Sequence, residues 1–286
     1  MNLSKNRRIV FILATGGLLA LVMIFLAIRP IRAAGPWYVA PGGDDGNSCL
    51  SPGTPCATIN GAIGKTSPGD TIYVATGTYT GTGDEVVLLN KDATLSGGWD
   101  ETFTEQSGSS TIDGESARRC VVVNSGITAV IEHLAVRRGW ADYPGGGGIL
   151  NSGNLTLDDS TISGNSAWSG GGIRNDGTLI LKKTTVGGNT ASWGGGIRSD
   201  GTLALNNSTV SRNTAEGGGG IFNNGTLTLN SSTVSRNFAS GPGGGICDDF
   251  GVSVTLQNSV VADNTGSGQG PDCWGTIGSS GYNLIG

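Results

Sequence analysis

The chain has 286 residues, of which 52 are glycine, and only 14% are charged. This composition is typical of a glycine-rich β protein that is long enough for one elongated domain. The formal net charge is −5, which argues against a nucleic-acid partner, because phosphate binding depends on Lys and Arg.

The first predicted element is a hydrophobic segment within residues 1–34. Residues 9–28 form a charge-free run of 20 residues, which follows Lys5, Arg7 and Arg8. Such a run predicts export, either as a cleaved signal peptide or as a retained membrane anchor, since it is long enough to span a bilayer. A retained anchor would keep the N-terminus inside and the remaining chain outside. We therefore expect a secreted or cell-surface protein and leave both forms of the leader open.

The next segment, residues 35–70, is expected to cap the N-terminal end of the main body. It predicts a short amphipathic helix from about Ala57 to Lys65. The apolar side of this helix would hold Ile59, Ala62 and Ile63. A helix in this place can cover the open edge of the first coil of a β structure.

The five cysteines of an exported chain indicate an oxidising compartment. Cys49 and Cys56 flank the turn LSPGTP and are expected to close a small loop. Cys247 and Cys273 form the second predicted pair, and Cys120 is expected to be a small buried side chain. The chain has no CxxC motif and no histidine cluster, so we expect neither a metal site nor a cofactor.

The main body, residues 71–286, carries a repeat that opens with GGGI. Its isoleucines recur at intervals of 24, 24, 24 and 25 residues, at Ile149, Ile173, Ile197, Ile221 and Ile246. Apolar and polar residues alternate within each copy, which is the period of a β-strand. We predict an all-β right-handed parallel β-helix with three short strands per coil of about 24 residues. The regular repeats would span residues 145–264, followed by a tail at 265–286.

An asparagine recurs in the same rhythm near the end of each copy. The column consists of Asn165, Asn189, Asn213, Asn237 and Asn264. Each lies just past a strand, where Asn tolerates left-handed backbone angles and stacked amides can hydrogen-bond. We interpret the column as a structural ladder rather than as a set of ligands.

Several segments together resemble those of a known family. They are SPGTPCATINGAI, PGDTIYVATGTY and LSGGW, the GGGI…GTLTL repeats and the closing PDCWGTIGSSGYNLIG. Over residues 37–286 the chain resembles bacterial right-handed parallel β-helix repeat proteins. Its tail from about Asn258 is similar to the choice-of-anchor Q segment of such surface proteins, and its GGGI repeats are more loosely similar to chlamydial polymorphic outer membrane proteins. The resemblance implies a pectin lyase-like fold and an exported protein, but no activity.

Some β-helices similar to this chain are pectin-degrading lyases and hydrolases. Their chemistry needs carboxylates on one face, or a base beside an Arg or calcium. No wall of carboxylates forms here, since Asp158 and Asp159 are followed one coil later by Lys182 and Lys183. Asp176 and Asp200 do recur in register, but they lie in the NDG and SDG turns, where Asp is expected for backbone reasons. The only histidine lies in the group Glu132, His133, Arg137 and Arg138. We predict a non-catalytic protein and keep, as the alternative, a pectate-lyase-like carbohydrate-active enzyme with a groove at this group.

One feature favours a binding function. Aromatic residues fall in the same loop of successive coils, between the Asn position and GGG, at Trp140, Tyr143, Trp168 and Trp193. Stacked coils would place these rings in a rough column with steps of about 5 Å, and aromatic faces suit sugars. The competing interpretation is that the rings pack locally over the glycines. We predict a structural or adhesin-like surface protein whose partners are surface glycans or other cell-surface proteins.

Overall fold

The computed structural model describes residues 35–249, 251 and 253–286. The predicted leader at residues 1–34, with its apolar run at 9–28, lies outside the described residues. Regular structure in the described part consists of four parallel β-sheets and one short helix. No helix there has the length and apolar character that crossing a membrane requires.

Strands of successive coils pair side by side and in parallel. Sheet A consists of Trp37–Val39 (β1), Asp70–Ala75 (β2), Ala93–Trp99 (β5), Thr128–Glu132 (β8), Asn154–Asp158 (β12), Thr178–Lys182 (β16), Thr202–Asn206 (β20), Thr226–Asn230 (β24), Val254–Gln257 (β28) and Gly278–Ser279 (β32). Sheet B consists of Thr78–Tyr79 (β3), Ser110–Asp113 (β6), Leu134–Arg137 (β9), Thr161–Ser163 (β13), Thr185–Gly187 (β17), Thr209–Ser211 (β21), Thr233–Ser235 (β25), Val260–Ala262 (β29) and Leu284–Ile285 (β33).

The other two sheets complete each coil. Sheet C consists of Glu85–Leu89 (β4), Arg119–Val123 (β7), Ile149–Asn151 (β11), Ile173–Asn175 (β15), Ile197–Ser199 (β19), Ile221–Asn223 (β23), Ile246–Asp248 (β27) and Cys273–Trp274 (β31). Sheet D consists of Trp140–Ala141 (β10), Ser166–Ser169 (β14), Thr190–Trp193 (β18), Thr214–Ala215 (β22), Phe238–Ala239 (β26) and Thr265–Gly266 (β30).

A regular coil crosses the sheets in the order C, A, B, D. The coil that begins at Ile173 uses β15, β16, β17 and β18, so the prediction of three strands per coil is wrong. The fourth strand, in sheet D, is short and buries a small side chain at its second position, as at Ala141, Ala167, Ala191, Ala215 and Ala239. A lone alanine in a run of two to four residues resembles a glycine-rich turn, which explains why the sequence pattern did not reveal it.

Paired strands are offset by one repeat, so like side chains lie over like. Ile149 faces Ile173, and Ile173 faces Ile197. Sheet A has an equivalent column, formed by Leu155, Leu179, Leu203, Leu227 and Val254. Burial of each such side chain stabilises the fold by roughly 1.5–3 kcal/mol. The coils therefore share one continuous apolar core.

The asparagine column forms a hydrogen-bonded ladder inside the coils. The Nδ2 of each Asn donates to the Oδ1 of the next, at 3.0 Å from Asn165 to Asn189 and 2.9 Å from Asn213 to Asn237. The same Oδ1 also accepts a hydrogen bond from the backbone N–H of the Asn one coil earlier. Asn165 N, for example, donates to Asn189 Oδ1 at 3.0 Å. The last member, Asn264, donates to the carboxylate of Asp272 at 2.8 Å.

The left-handed backbone angle at this corner belongs to the residue before each Asn and not to the Asn itself. Gly188 has φ 68° and Arg212 has φ 57°. The expectation that the Asn column adopts this angle is therefore wrong. The amide of each Asn satisfies buried backbone groups, as Asn189 Oδ1 does for Asn165 N and Asn189 Nδ2 for Ile162 O.

Two further polar ladders lie at other corners of the coil. In one, Thr184 N donates to Ser208 Oγ at 3.2 Å and Ser208 N donates to Ser232 Oγ at 3.1 Å. In the other, Asn151 Nδ2 donates to Asn175 Oδ1 at 2.8 Å. Residue types vary along both ladders, so neither forms a column of one letter in the sequence.

The helix α1 spans Ile59–Lys65 and begins later than the predicted start at Ala57. Thr58 precedes it in extended conformation and accepts a hydrogen bond from Gly61 N. The predicted apolar residues of this helix are buried: Ile59, Ala62 and Ile63. Its Asn60 side chain pairs with the backbone of β4, donating to Val86 O at 3.0 Å and accepting from Leu88 N at 2.9 Å.

A disulfide bond joins Cys49 and Cys56. The loop between them lies against the outer edge of β1. Tyr38 N donates to Cys49 O at 2.9 Å, and Cys56 N donates to Tyr38 O at 2.8 Å. Parallel pairing in sheet A thus already begins within the predicted cap segment at residues 35–70.

The predicted Cys247–Cys273 pair is wrong. The register of β27 and β31 sets Ile246 opposite Cys273 and Cys247 opposite Trp274. Successive side chains of a strand point to opposite faces, so the two thiols are directed apart. Both cysteines are free in the described structure, as is the buried Cys120.

Candidate functional site

The four predicted aromatic residues lie at sheet D and the loop beside it. Trp140 begins β10, Trp168 lies within β14 and Trp193 ends β18. The register pairs Trp140 with Ser166, and Trp193 with Ser169, so the indoles do not occupy equivalent positions. The predicted single column of rings is therefore wrong. The rings form two separate groups, because each coil places its tryptophan further along the strand than the coil before.

The first group consists of Trp140, Tyr143 and Trp168, which we call the aromatic patch. Their side chains are 44%, 82% and 47% exposed. The rings of Tyr143 and Trp168 are tilted by 51°, with centroids 6.2 Å apart. Three large aromatic side chains thus face solvent on neighbouring coils, an arrangement that a core-packing role does not explain.

The second group surrounds the half-buried Trp193. Its ring contacts Phe222 of β23 edge to face, with centroids 5.3 Å apart and an interplanar angle of 70°. A Cβ added at Gly217 would lie 2.6 Å from the indole, so the glycine provides the room that the ring needs. Beside the rings lies a cleft of about 300 Å³, which we call the Trp193 cleft. It is lined by Trp193, Arg198, Phe222, Asn224, Pro242, Cys247 and Asp249.

Sequence reasoning missed Phe222. This residue occupies the outward position that Arg174 and Arg198 hold in the two preceding coils. The sequence does show this change, because residues 221–224 read IFNN where the two preceding repeats read IRND and IRSD. The Arg198 guanidinium lies over the Phe222 ring, with Cζ 5.2 Å from its centroid.

Charges near the Trp193 cleft are largely compensated. Arg198 Nε lies 3.3 Å from Asp200 Oδ1, and Arg174 Nη2 lies 2.6 Å from Asp200 Oδ2. Arg174 Nε also contacts Asp176 Oδ1 at 2.8 Å. Asp176 and Asp200 therefore serve as ion-pair partners at the turn, which leaves little free positive charge on this face.

The residues of the enzymatic alternative are spread over two strands and the corner between them. His133 lies at the corner between β8 and β9, with φ 53°, and its Nδ1 is 3.6 Å from Asp159 Oδ2. Arg137 lies at the other end of β9, four residues further along the chain. Glu132 ends β8 and pairs with Asp158 of the next coil. A cleft of about 380 Å³ adjoins His133 and Asp159, and neither arginine lines it.

Both arginines of this group bind a buried carboxylate. Arg138 Nε donates to Asp113 Oδ1 at 2.8 Å, and Arg137 Nε donates to Asp113 Oδ2 at 3.1 Å. Burial alone would raise the pKa of Asp113, but hydrogen bonds from Arg138 and the Glu115 backbone, with both arginine charges, hold this pKa below its ordinary value. The arginines thus have a structural partner. Among the described residues no group of three or more His, Cys, Asp and Glu is arranged to hold a metal.

A further cleft of about 240 Å³ adjoins the aromatic patch. Its lining includes Trp140 with Asp84, Arg118, Arg119 and Asp142. Arg119 donates to the carbonyl oxygen of Gly145, with Nη2 at 2.9 Å, and so holds the loop that carries Tyr143. Sequence reasoning missed this contact because it joins residues 26 positions apart in the irregular coils.

Comparison with known proteins shows the fold. No family model matches the chain, and no curated protein sequence matches it. Among solved structures, the chain is similar to a pectate lyase, Pel9A, with a TM-score of 0.61 and 15% identity over 82% of this chain. The chain spans 65% of the length of that lyase. A rhamnogalacturonan lyase matches with a TM-score of 0.38 and 11% identity, over 88% of this chain and 84% of that one.

Proposed function

We propose that this protein is an exported, non-catalytic β-helix that binds surface glycans through aromatic side chains, as an adhesin-like or structural module. The aromatic patch carries this proposal. Its three rings are exposed on neighbouring coils, and strands of neighbouring coils lie about 4.8 Å apart. Flat aromatic faces bury the apolar faces of sugar rings while the sugar hydroxyls stay hydrated.

Export is supported by two features. The charge-free run at residues 9–28 follows three basic residues, as expected of a signal peptide or a membrane anchor. The disulfide between Cys49 and Cys56 suits an oxidising compartment. The protein then acts in the secreted or cell-surface space, and other surface proteins are further candidate partners.

The finer fold assignment belongs to the same proposal. We assign a right-handed winding from the general preference of parallel crossover connections. The Asn60 amide occupies backbone groups of β4, so α1 acts as the N-terminal cap. The resemblance to bacterial β-helix surface proteins with a choice-of-anchor Q tail, and to chlamydial polymorphic outer membrane proteins, supports a surface role.

The second candidate function is a carbohydrate-active enzyme. His133 beside Asp159 in an open cleft favours it, and so does the fold shared with a pectate lyase. In this enzyme a general acid or base would have to act without help from Arg137 and Arg138, because both form ion pairs with Asp113. We therefore rank it below the binding function.

Binding of the purified protein to a glycan array tests the proposal. We expect retention of at least one glycan class, weakened about tenfold by Trp168→Ala or Tyr143→Ala. Tyr282→Ala is the matched control, because Tyr282 is an exposed aromatic residue outside the aromatic patch. Unchanged binding in the patch variants, or no binding by the parent protein, would contradict the proposal.

An activity assay separates the two candidates. The protein and its His133→Ala variant are incubated with pectin, alginate and host-type glycans, and soluble products are measured. Products that depend on His133 would establish the enzyme. Retention without products supports the binding function.

A further inference from the structure

The aromatic patch and the Trp193 cleft differ in their construction. The patch offers exposed rings, whereas the cleft combines a fixed ring with polar walls. Trp193 is held against Phe222 and over Gly217, so its orientation is set before any ligand arrives. A rigid ring loses little conformational entropy on binding. The cleft therefore has the construction of a specific subsite.

The size of the cleft limits its ligand. Its volume of about 300 Å³ lies at the lower end of the range of roughly 300–1,000 Å³ found for ligand pockets. One or two sugar rings suit such a space. The aromatic wall supplies apolar contact for one face of a ring.

The polar groups of the cleft both donate and accept hydrogen bonds. Only Nε of Arg198 is engaged, by Asp200, and its Nη groups make no hydrogen bond within the described residues. Asp249 is exposed and lines the same cleft. A hydroxyl group is a donor and an acceptor at once, so neighbouring hydroxyls of a sugar fit a guanidinium and a carboxylate together.

The charge balance of the cleft disfavours anions. Arg198 is its single cationic lining residue, and Asp200 compensates that charge, while Asp249 adds a negative charge without an ion-pair partner among the described residues. Cys247 adds no charge, since burial and the neighbouring Asp249 and Asp248 raise the pKa of its thiol to about 12. A carboxylated or sulfated sugar would meet net repulsion here.

We infer that the Trp193 cleft binds an uncharged sugar unit and discriminates against uronic acids and sulfated sugars. This inference rests on the proposed function and names the ligand class of one of its two surfaces. It also separates the chain from its structural neighbour, which is described as a lyase of pectate, a polyanion.

Polygalacturonate and its fully methyl-esterified form are the matched probes, because they share a backbone and differ in charge. Binding of the full-length protein to each is measured by calorimetry at low and at high salt. We expect the esterified form to bind at least about fivefold more tightly at low salt, with a smaller difference at high salt. Equal or tighter binding of the acidic form would overturn the inference.

Two variants test whether the preference for the esterified form arises at the Trp193 cleft. Trp193→Ala should weaken binding of the esterified form about tenfold. Asp249→Lys should strengthen binding of the acidic form about fivefold and leave the esterified form unchanged. Asp249 is exposed, so this second variant remains informative if Trp193→Ala fails to fold. Unchanged charge preference in Asp249→Lys would overturn the assignment to the cleft.

The outcomes also separate this inference from the proposed function. Binding that depends on Trp168 but not on Trp193, or that prefers the acidic form, overturns only the inference. Absence of binding to both probes overturns the inference, and absence of binding to every glycan on the array as well overturns the proposed function.

Discussion

The inward and outward faces of the same strands follow different rules. On sheet C the inward residues Ile173, Ile197 and Ile221 are identical and fully buried. The outward residues that follow them change from Arg174 and Arg198 to Phe222. Packing constrains the interior at every repeat, whereas the exterior is free to vary. Departures from the repeat on the outer face are therefore the best indication of where this solenoid carries function.

The largest effect is expected from the interior. Leu229→Ala in β24 removes a fully buried side chain and should lower the free energy of unfolding by about 2–5 kcal/mol. Thr228→Ala, at the next position on the exposed face, is the matched control and should change it by less than about 0.5 kcal/mol. Urea denaturation of both variants measures the difference. Similar losses in both would break the distinction between the two faces.

A smaller effect is expected from the asparagine ladder. Asn213→Ala leaves Asn189 and the backbone around it without their buried acceptor and should lower the free energy of unfolding by about 1–3 kcal/mol. Asn230→Ala, at an exposed asparagine, is the control. Thermal and urea denaturation measure both variants. Equal stability of the two would show that the ladder contributes no more than a surface amide.

The buried Asp113 predicts a loss of stability in acid. Its pKa in the folded protein lies below the ordinary 3.8, because hydrogen bonds and charges from its arginines outweigh the effect of burial. Its contribution is therefore present above pH 3.8 and is lost as the pH falls through the lower folded value. Urea denaturation at a series of pH values should show a shallower acid slope in Asp113→Asn than in the parent. Identical slopes would contradict this role of the carboxylate.

The smallest effect on stability is expected from the aromatic patch. Trp168→Ala removes a side chain that is 47% exposed and should lower the free energy of unfolding by no more than about 1 kcal/mol. The same variant should lose glycan affinity. Substitutions inside the coils would then lower mainly stability, and substitutions on the outer face would lower mainly binding. Thermal denaturation measures the first quantity. A large loss of stability would assign Trp168 to packing.

Features that repeat could be predicted from the sequence, and features that occur once could not. The columns of Ile173 and Asn189 were visible because every coil needs the same side chain at the same place. The strands of sheet D were not predicted, because a single alanine such as Ala191 does not produce an alternating pattern of apolar residues. The contact of Trp193 with Phe222 was not predicted either, since it joins two side chains that are 29 positions apart in the sequence.

The cysteine prediction failed for a related reason. Spacing along the chain indicates which strands carry Cys247 and Cys273, but register decides which face each thiol occupies. Cys273 lies 26 residues after Cys247, whereas the register sets residues 27 positions apart opposite each other, so Ile246 opposes Cys273 and Cys247 opposes Trp274. A displacement of one residue exchanges the two faces of a strand.

The loop closed by Cys49 and Cys56 has a consequence for solubility. A parallel sheet with a bare outermost strand offers a template on which a foreign chain can add and polymerise. Here the loop already pairs with the backbone of Tyr38 on that strand and with that of Ala40 just after it. Backbone groups at this edge of sheet A are thus already paired within the molecule, so the loop blocks the addition of a further strand through Tyr38 and Ala40.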